Sequence, residues 1–480
     1  MSHTSTDHAE TAADRDTPAE SAAPFRRALT IMVVALVLLV AAFASLNYLQ
    51  GPRLSSGSVD AERVVAQGGQ QLRLFANQSI RDVAKKHVSV SPAVPFTVST
   101  SGAVIAVQFT DRLRYATKYS VRVSDVANAF QPRVSTFDYT FTTARAEIFY
   151  LKRADPATGA GQDDSIIRTG LSGSERTVVY SARRIQQFVV FPQAIAVTTL
   201  ADDGTSSLSL VGLSSKLVEQ IPMPGPGTID NLQGESDAGL LGFVFTSTGP
   251  SVAREFTSVL MRVDLSGDHA VAAVPDLAGK PLAVLGWGFL GGSTSIVAHG
   301  VDQTVFLIDA SKSAPPVPLG QYTELGRSSP DGKSIVVSDV YGKIALSVAD
   351  GTKTRIPSLP IAGASTYGGD VALMGKDVAR VQQVAVFDSA TGGKFQSYLV
   401  YQSGTTARIL YQTKDDAGSI EGFSISPNGQ FVAVNVIPDY AHSVSDGYPV
   451  GAQSTSIRTV IIDIASGAVV RSVEGFDESW

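Results

Sequence analysis

From Glu147 onward the chain repeats one grammar at intervals of roughly 40–50 residues. The clearest unit is SSPDGKSIVVSDVYGKIALSVADGTKTRIP at 328–357: a Pro-Asp-Gly turn, a strand, a second turn, the strand 343–349, an Asp-Gly turn and a short last strand. The same order recurs as ISPNGQFVAVNV (425–436) with TVIIDIASGAVVRSV (459–473), and more loosely at 194–222, 240–275 and 293–320. Such a unit is a four-stranded sheet that cannot cover both of its own faces, so the units must pack on one another. Repeats of this length packed radially form a β-propeller. Units beginning near 147, 186, 229, 282, 325, 366 and 420 predict about seven blades, with six or eight open because 361–412 is hard to parse. The first unit begins without an inner strand, and the terminal GFDESW (475–480) has the form of one. The C-terminus is therefore expected to pair into the first blade and close the ring.

Between 63 and 145 the texture differs. Short runs with period-two alternation, such as QLRLF (71–75) and VIAVQF (104–109), are separated by turn residues. Six or seven strands fit in about 80 residues, the spacing of an immunoglobulin-like β-sandwich. Tyr119, Val121 and Val123 alternate onto one face and are predicted core, with Arg122 outward.

Two resemblances attach to these stretches. The runs VSVSPAVPF (88–96), VIAVQFTDRLRYATKYSVRVSDVANAF (104–130) and FDYTFTT (137–143) resemble the bacterial Ig-like domains first associated with surface-layer proteins. Phe109, Leu113, Thr117, Tyr119, Val121 and Val123 occupy the centre of that pattern, and Phe137, Phe141, Thr142 and Thr143 its close. The resemblance implies a spacer or adhesion module and no chemistry. The SPDG turns and the strand, Asp-x-x-x-Gly, strand endings are similar to blades of the TolB family and its WD40-like relatives, without the Trp-Asp dipeptide.

The N-terminal region sets location. Residues 28–46, ALTIMVVALVLLVAAFASL, carry no charge and follow Arg26 and Arg27. As a helix they span about 28 Å, close to the hydrocarbon core of a bilayer. Segment 26–49 thus reads as a transmembrane signal-anchor, and the basic pair predicts a cytoplasmic N-terminus with the remaining chain extracytoplasmic. Residues 1–25 read as a disordered cytoplasmic tail, because they hold almost nothing to pack, and 50–62 as a flexible linker. Ala42-Phe43-Ala44 fits the small-x-small form of a signal-peptidase site, so cleavage after Ala44 would give a secreted protein; the long apolar run argues for retention. With Cys 0 there is no disulfide, thiolate metal site, cysteine nucleophile or lipidated N-terminus, which suits a bacterial envelope. Lys+Arg 38 against Asp+Glu 44, with no basic block beside aromatics, excludes a nucleic-acid surface.

Named chemistry is sparse. Gly286 to Gly292 (GWGFLGG) lacks the Lys-Ser/Thr of a phosphate loop and reads as an inner strand and its turn. Asp155, Asp163 and Asp164 lack the one-three-five spacing of a calcium loop. The six histidines form no His-x-His or His-x-x-x-His pair, and Gly-x-Ser-x-Gly is absent. No catalytic, cofactor or metal residue is assigned. One candidate remains: long connections between the second and third strands of a blade emerge on one face, and the richest, PDYAHSVSDGYPVGAQSTS (438–456), offers Asp439, Tyr440, His442, Asp446 and Tyr448 for partner binding.

The sequence thus predicts an all-β exterior, an Ig-like sandwich followed at 146–480 by a propeller, on one N-terminal membrane helix. The expected role is binding or scaffolding of a protein, peptide or envelope glycan, without a cofactor. An axial-site propeller enzyme of glycosidase, lyase or lactonase type and a purely structural envelope bridge are the alternatives. The oligomeric state is left open.

Overall fold

The computed structural model describes residues 23–49, 51–130, 133–155, 161–173, 175–236, 238–249, 255–309, 314–361, 364–375, 379–388 and 394–480. The predicted tail falls outside them except at its last residues. The apolar run lies in one helix of 27 residues, Ala23–Leu49. From Phe25 to Ala41 its side chains are exposed all round, Leu29, Ile31, Val33, Leu36 and Leu38 among them. Among the described residues no helix is long and apolar enough to cross a membrane. The side chains of 42–49 lie outside the described set.

The described residues divide into two compact units, one holding those up to Val59 with Gln71–Gln108 and Ser120–Thr140, the other Asp60–Gln70 with Phe109–Tyr119 and those from Phe141 to Trp480. The first is built on a four-stranded sheet, in the order Leu54–Ser58, Gln71–Ala76, Val104–Phe109, Phe96–Ser101, and a three-stranded one, Val88–Ser91, Lys118–Ala127, Val134–Thr142. Alternation decides what is covered: Leu72, Leu74, Ile105, Val107, Val121 and Val123 are fully buried while Arg122 points out. One expectation fails here, because residues 54–58 lie within the stretch read as a linker and are an edge strand paired with 71–76. LSSGS carries no apolar alternation, so its pairing depends on a neighbour. The Tyr139 ring lies against Gly57, where a Cβ would come within 2.4 Å of it, and the Tyr139 hydroxyl donates to the Gly57 carbonyl at 3.1 Å.

The second unit holds seven four-stranded antiparallel sheets. From the innermost strand outward, blade 1 is Phe476–Ser479, Glu147–Lys152, Asp164–Gly170 and Arg176–Ala182, so its first strand comes from the chain's end. Blades 2 to 7 run in chain order from inner strands Ile185–Val190, Gly227–Glu235, Val284–Phe289, Glu324–Ser328, Thr366–Met374 and Ser419–Ile425. This is a β-propeller. Each blade buries both faces against its neighbours: Leu208, Leu241, Phe243 and Val263 join blades 2 and 3, and Val381, Leu399, Phe423 and Val434 join blades 6 and 7. Ile148, Tyr150, Ala433 and Ile461 join blade 7 back to blade 1. Each fully buried Val, Leu, Ile or Phe among them contributes about 1.5–3 kcal/mol.

Closure is covalently continuous with blade 7. Gly475, at φ +140°, turns the chain inward, and Phe476 then pairs with Leu151 and Ser479 with Phe149. A Cβ at Gly475 would sit 2.5 Å from the Leu151 carbonyl oxygen, so only glycine fits. Because the strands alternate in direction, connections from second to third strand share one face with the blade-to-blade connections, opposite the SPDG turns. We call it the loop face.

Candidate functional site

The 438–457 loop leaves blade 7 on this face, between Phe431–Ile437 and Arg458–Asp463. Its five predicted residues separate into two groups. Asp446 and Tyr448 turn inward toward blade 1. Arg153, at the end of the second strand of that blade, donates to Asp446 Oδ2 at 2.7 Å, with the two side chains only 5% and 3% exposed. The same guanidinium donates to the carbonyls of Gly451 (2.8 Å) and Ile185 (3.2 Å) and lies 4.0 Å from the Tyr448 ring centroid and 5.0 Å from that of Phe476. The Tyr448 hydroxyl donates to Asp164, which also accepts from the Ala154 and Ile185 backbone amides at 2.8 Å each. Burial, then the Asp164 carboxylate, holds the Tyr448 phenol well above its usual range.

Asp439, Tyr440 and His442 form the exposed tip. His442 Nδ1 meets Asp439 Oδ2 at 2.9 Å, with the His442 side chain 85% exposed. That hydrogen bond holds the Asp439 carboxyl below its usual range. Tyr440 is 64% exposed and Val444 is exposed beside it. The loop is thus anchored at its base and open at its tip. Val340 and Tyr341 in the corresponding turn of blade 5, and Phe387 paired with Phe395 at the same end of blade 6, are also exposed on this face.

A second feature lies along the inner strands. Every inner strand breaks register against its neighbour: at Ile185/Gln187, Asp230/Gln233, Val284/Gly286, Leu325/Ser328, Gly368/Val371, Ile420/Gly422 and Phe476/Ser479. The residues passed over include Gln186, Asn231, Leu285, Arg327, Asp370, Glu421 and Asp477. Bulges of this kind re-aim a side chain out of the ladder. Asn231 and Asp477 adopt φ of 51° and 55°, a left-handed conformation that Asn and Asp tolerate better than most residues. A charged or amide residue in the middle of an otherwise apolar inner strand (IQQF, IDNL, LGRS, IEGF, FDES) is the signal that could have revealed them.

Where the blade 7 loop meets these strands there is a pocket of about 220 Å³ lined by Gln186, Asp230, Glu421, Asp477, Gln453 and Arg153, among others. Its one lining cation, Arg153, is already paired with Asp446. Asp477 Oδ2 accepts from the Phe188 amide at 3.4 Å. Burial, reinforced by the neighbouring Glu478, pushes the Asp477 carboxyl up to about 7, against the pull of Phe188 N–H and Arg153. Glu478, bonded to Ser424 Oγ at 2.6 Å, is raised by burial as well. Gln186 is 6% exposed and its Nε2 has no hydrogen-bond partner among the described residues.

The remaining sequence candidates fall elsewhere. Gly286 and Gly288 lie in the inner strand Val284–Phe289 of blade 4. Asp164 is occupied as described, while Asp155 and Asp163 line an adjoining crevice with Lys152, Thr455 and Glu474 that shares Arg153, Ile457 and Phe476 with the axial pocket. Among the described residues no group of three or more His, Asp or Glu is placed to hold a metal ion. His299 is buried on the Tyr322 carbonyl at 2.9 Å, and His269 pairs with Glu219 at 2.8 Å.

No family model matches the chain, and no curated protein matches it. Solved structures do resemble it. TolB from Acinetobacter baumannii is similar at 15% identity and a TM-score of 0.37, over 76% of this chain and 80% of that one. The β-propeller domain of the Trilobed protease from Pyrococcus furiosus is similar at 11% identity and 0.40, over 71% and 92%. A putative 6-phosphogluconolactonase from Bacteroides fragilis is similar at 12% identity and 0.39, over 70% and 95%.

Proposed function

We propose that this protein is a membrane-tethered, extracytoplasmic binding protein that presents the loop face of its propeller to a protein or other envelope partner. The carrying observation is the blade 7 loop: its base is immobilised through Arg153, Asp446 and Tyr448, so Tyr440, His442 and Val444 are displayed without the ordering cost that a free loop would bring to binding. Aromatic groups held exposed in this way are the residue types that dominate binding energy at interfaces. Val340, Tyr341, Phe387 and Phe395 extend apolar surface over blades 5 and 6. The exposed apolar helix after Arg26 and Arg27 supports the tether, and the four- and three-stranded sheets support an Ig-like spacer between helix and propeller in the chain.

Crosslinking in intact membranes followed by affinity capture tests this reading. Tyr440→Ala with His442→Ala should leave the melting temperature unchanged and remove the captured partner. Capture of the same partner at an undiminished level by that variant overturns it. One observation favours an axial enzyme as the second reading: a carboxyl poised near pH 7, Asp477, shares a pocket with Asp230 and Glu421, the arrangement general acid–base chemistry uses.

A further inference from the structure

We propose that the axial pocket receives a cationic side chain, lysine or arginine, of the partner polypeptide, with a peptide carbonyl of that partner accepting from Gln186. The inference rests on the loop face being the binding face, and it names what enters at its centre. Three carboxylates, Asp230, Glu421 and Asp477, line one small cavity. Glu421 is exposed and has no hydrogen-bond or ion-pair partner among the described residues. Among the described residues the only cation in the lining, Arg153, is engaged by Asp446 and by backbone carbonyls. The cavity therefore attracts positive charge.

Gln186 adds an independent requirement. A buried amide N–H without an acceptor costs about 1–3 kcal/mol, and a ligand carrying a carbonyl removes that cost. A cation beside a carbonyl is what a basic residue in a peptide offers. Size points the same way: about 220 Å³ is below the roughly 300–1,000 Å³ of sites that enclose a drug-sized molecule, and it suits a single head group. Two walls of the pocket, Gly451 and Gln453, belong to the loop that carries Tyr440, so a polypeptide seated on the tip can reach the cavity.

Charge and proton are then exchanged at one site. With Glu478 and Arg153 as its nearest charged neighbours, and Asp230 and Glu421 across the cavity, Asp477 is largely protonated below neutrality. A bound cation favours the carboxylate, so binding releases a proton to solvent and strengthens as pH rises through about 7.

The test uses the full chain in detergent and two probes, acetyl-Gly-Arg-Gly-amide and its neutral citrulline counterpart, measured by calorimetry between pH 5.5 and 8.5. The arginine probe is expected to bind about ten-fold tighter than the citrulline probe at pH 8, with the advantage shrinking below pH 6. Glu421→Gln, a change at an exposed residue, should erase most of that advantage without moving the melting temperature, and Asp477→Asn should abolish its pH dependence. Equal binding of the two probes, or an advantage untouched by Glu421→Gln, overturns the proposal. Spermidine binding as tightly as the arginine probe would overturn the polypeptide source. The Tyr440→Ala, His442→Ala variant separates the two readings. If it loses its partner while the probes fail to discriminate, the loop face stands and the pocket assignment falls. If it keeps its partner while the arginine probe retains its advantage, the loop face falls and the pocket's preference for a cation stands.

Discussion

Arg153 and Asp446 lie 293 positions apart in sequence and form a 2.7 Å ion pair that joins the first blade of the ring to the long loop of the last. Both side chains are buried, and each has further partners, the Ile185 and Gly451 carbonyls for the arginine and the Tyr448 and Gln453 amides for the carboxylate. Removing one partner leaves the other as an uncompensated buried charge. Arg153→Met or Asp446→Asn should each cost about 3–5 kcal/mol in urea denaturation, and the double replacement by apolar residues much less than the sum. Arg153→Lys should not restore the loss, because an ammonium lacks the planar fork that reaches Asp446 and Gly451 through one nitrogen and Ile185 through another while lying over the Tyr448 ring.

Tyr448 and Tyr440 offer a contrast within one loop. Tyr448→Phe removes a donor from Asp164, which keeps two backbone amides, so a loss of about 1 kcal/mol is expected. Tyr440→Phe, at an exposed position, should fall within about 0.5 kcal/mol of the parent. Equilibrium unfolding of the two variants side by side measures the difference.

Gly475→Ala probes ring closure without shortening the chain. Its Cβ would lie 2.5 Å from the Leu151 carbonyl oxygen and 2.7 Å from the Tyr150 ring, at a φ that alanine avoids. A destabilisation of about 2 kcal/mol or more is expected, read as a lower denaturation midpoint. An unchanged midpoint would show that the turn into Phe476 contributes little.

Stability should depend on pH through Asp477. Its folded-state value of about 7 lies above the ordinary carboxyl range, so between about pH 4 and 7 the folded state binds more protons than the unfolded one. Stability is therefore greatest at the acid end of that window, falls as pH rises through it, and levels off above 7. Asp477→Asn should flatten this profile and raise the melting temperature at pH 8, as followed by calorimetry in matched buffers.

Most of the architecture was legible because turns punctuate it. The predicted unit starts at 147, 186, 229, 282, 325, 366 and 420 fall within about two residues of observed strands beginning at Glu147, Ile185, Gly227, Val284, Glu324, Thr366 and Ser419. Even 361–412, the hardest stretch, holds a complete blade. What escaped was whatever local pattern does not encode. The edge strand Leu54–Ser58 has no apolar alternation; it is held by pairing with 71–76 and by a hydrogen bond from a tyrosine far along the chain. Arg153 and Asp164 sit in and beside a loop that reads as solvated, and only the closed ring brings Asp446 and Tyr448 to them. The axial residues were hidden because a bulge shifts the inside-outside alternation by one, so Gln186, Glu421 and Asp477, which look like strand interruptions, line the cavity.

Those bulges separate two jobs that a β-strand ordinarily combines. The residues before and after each break stay in the ladder, while the residue at the break leaves it and makes contacts of another kind: Arg327 of blade 5 pairs with Asp370 of blade 6 at 2.8 Å, and Asp477 accepts from the Phe188 amide of blade 2. The inner strands are thus tied to one another by side chains rather than by backbone pairing. A replacement at 327, 370 or 477 therefore alters a seam between two blades, so the inner ring is fastened by side chains that the ladder itself does not use.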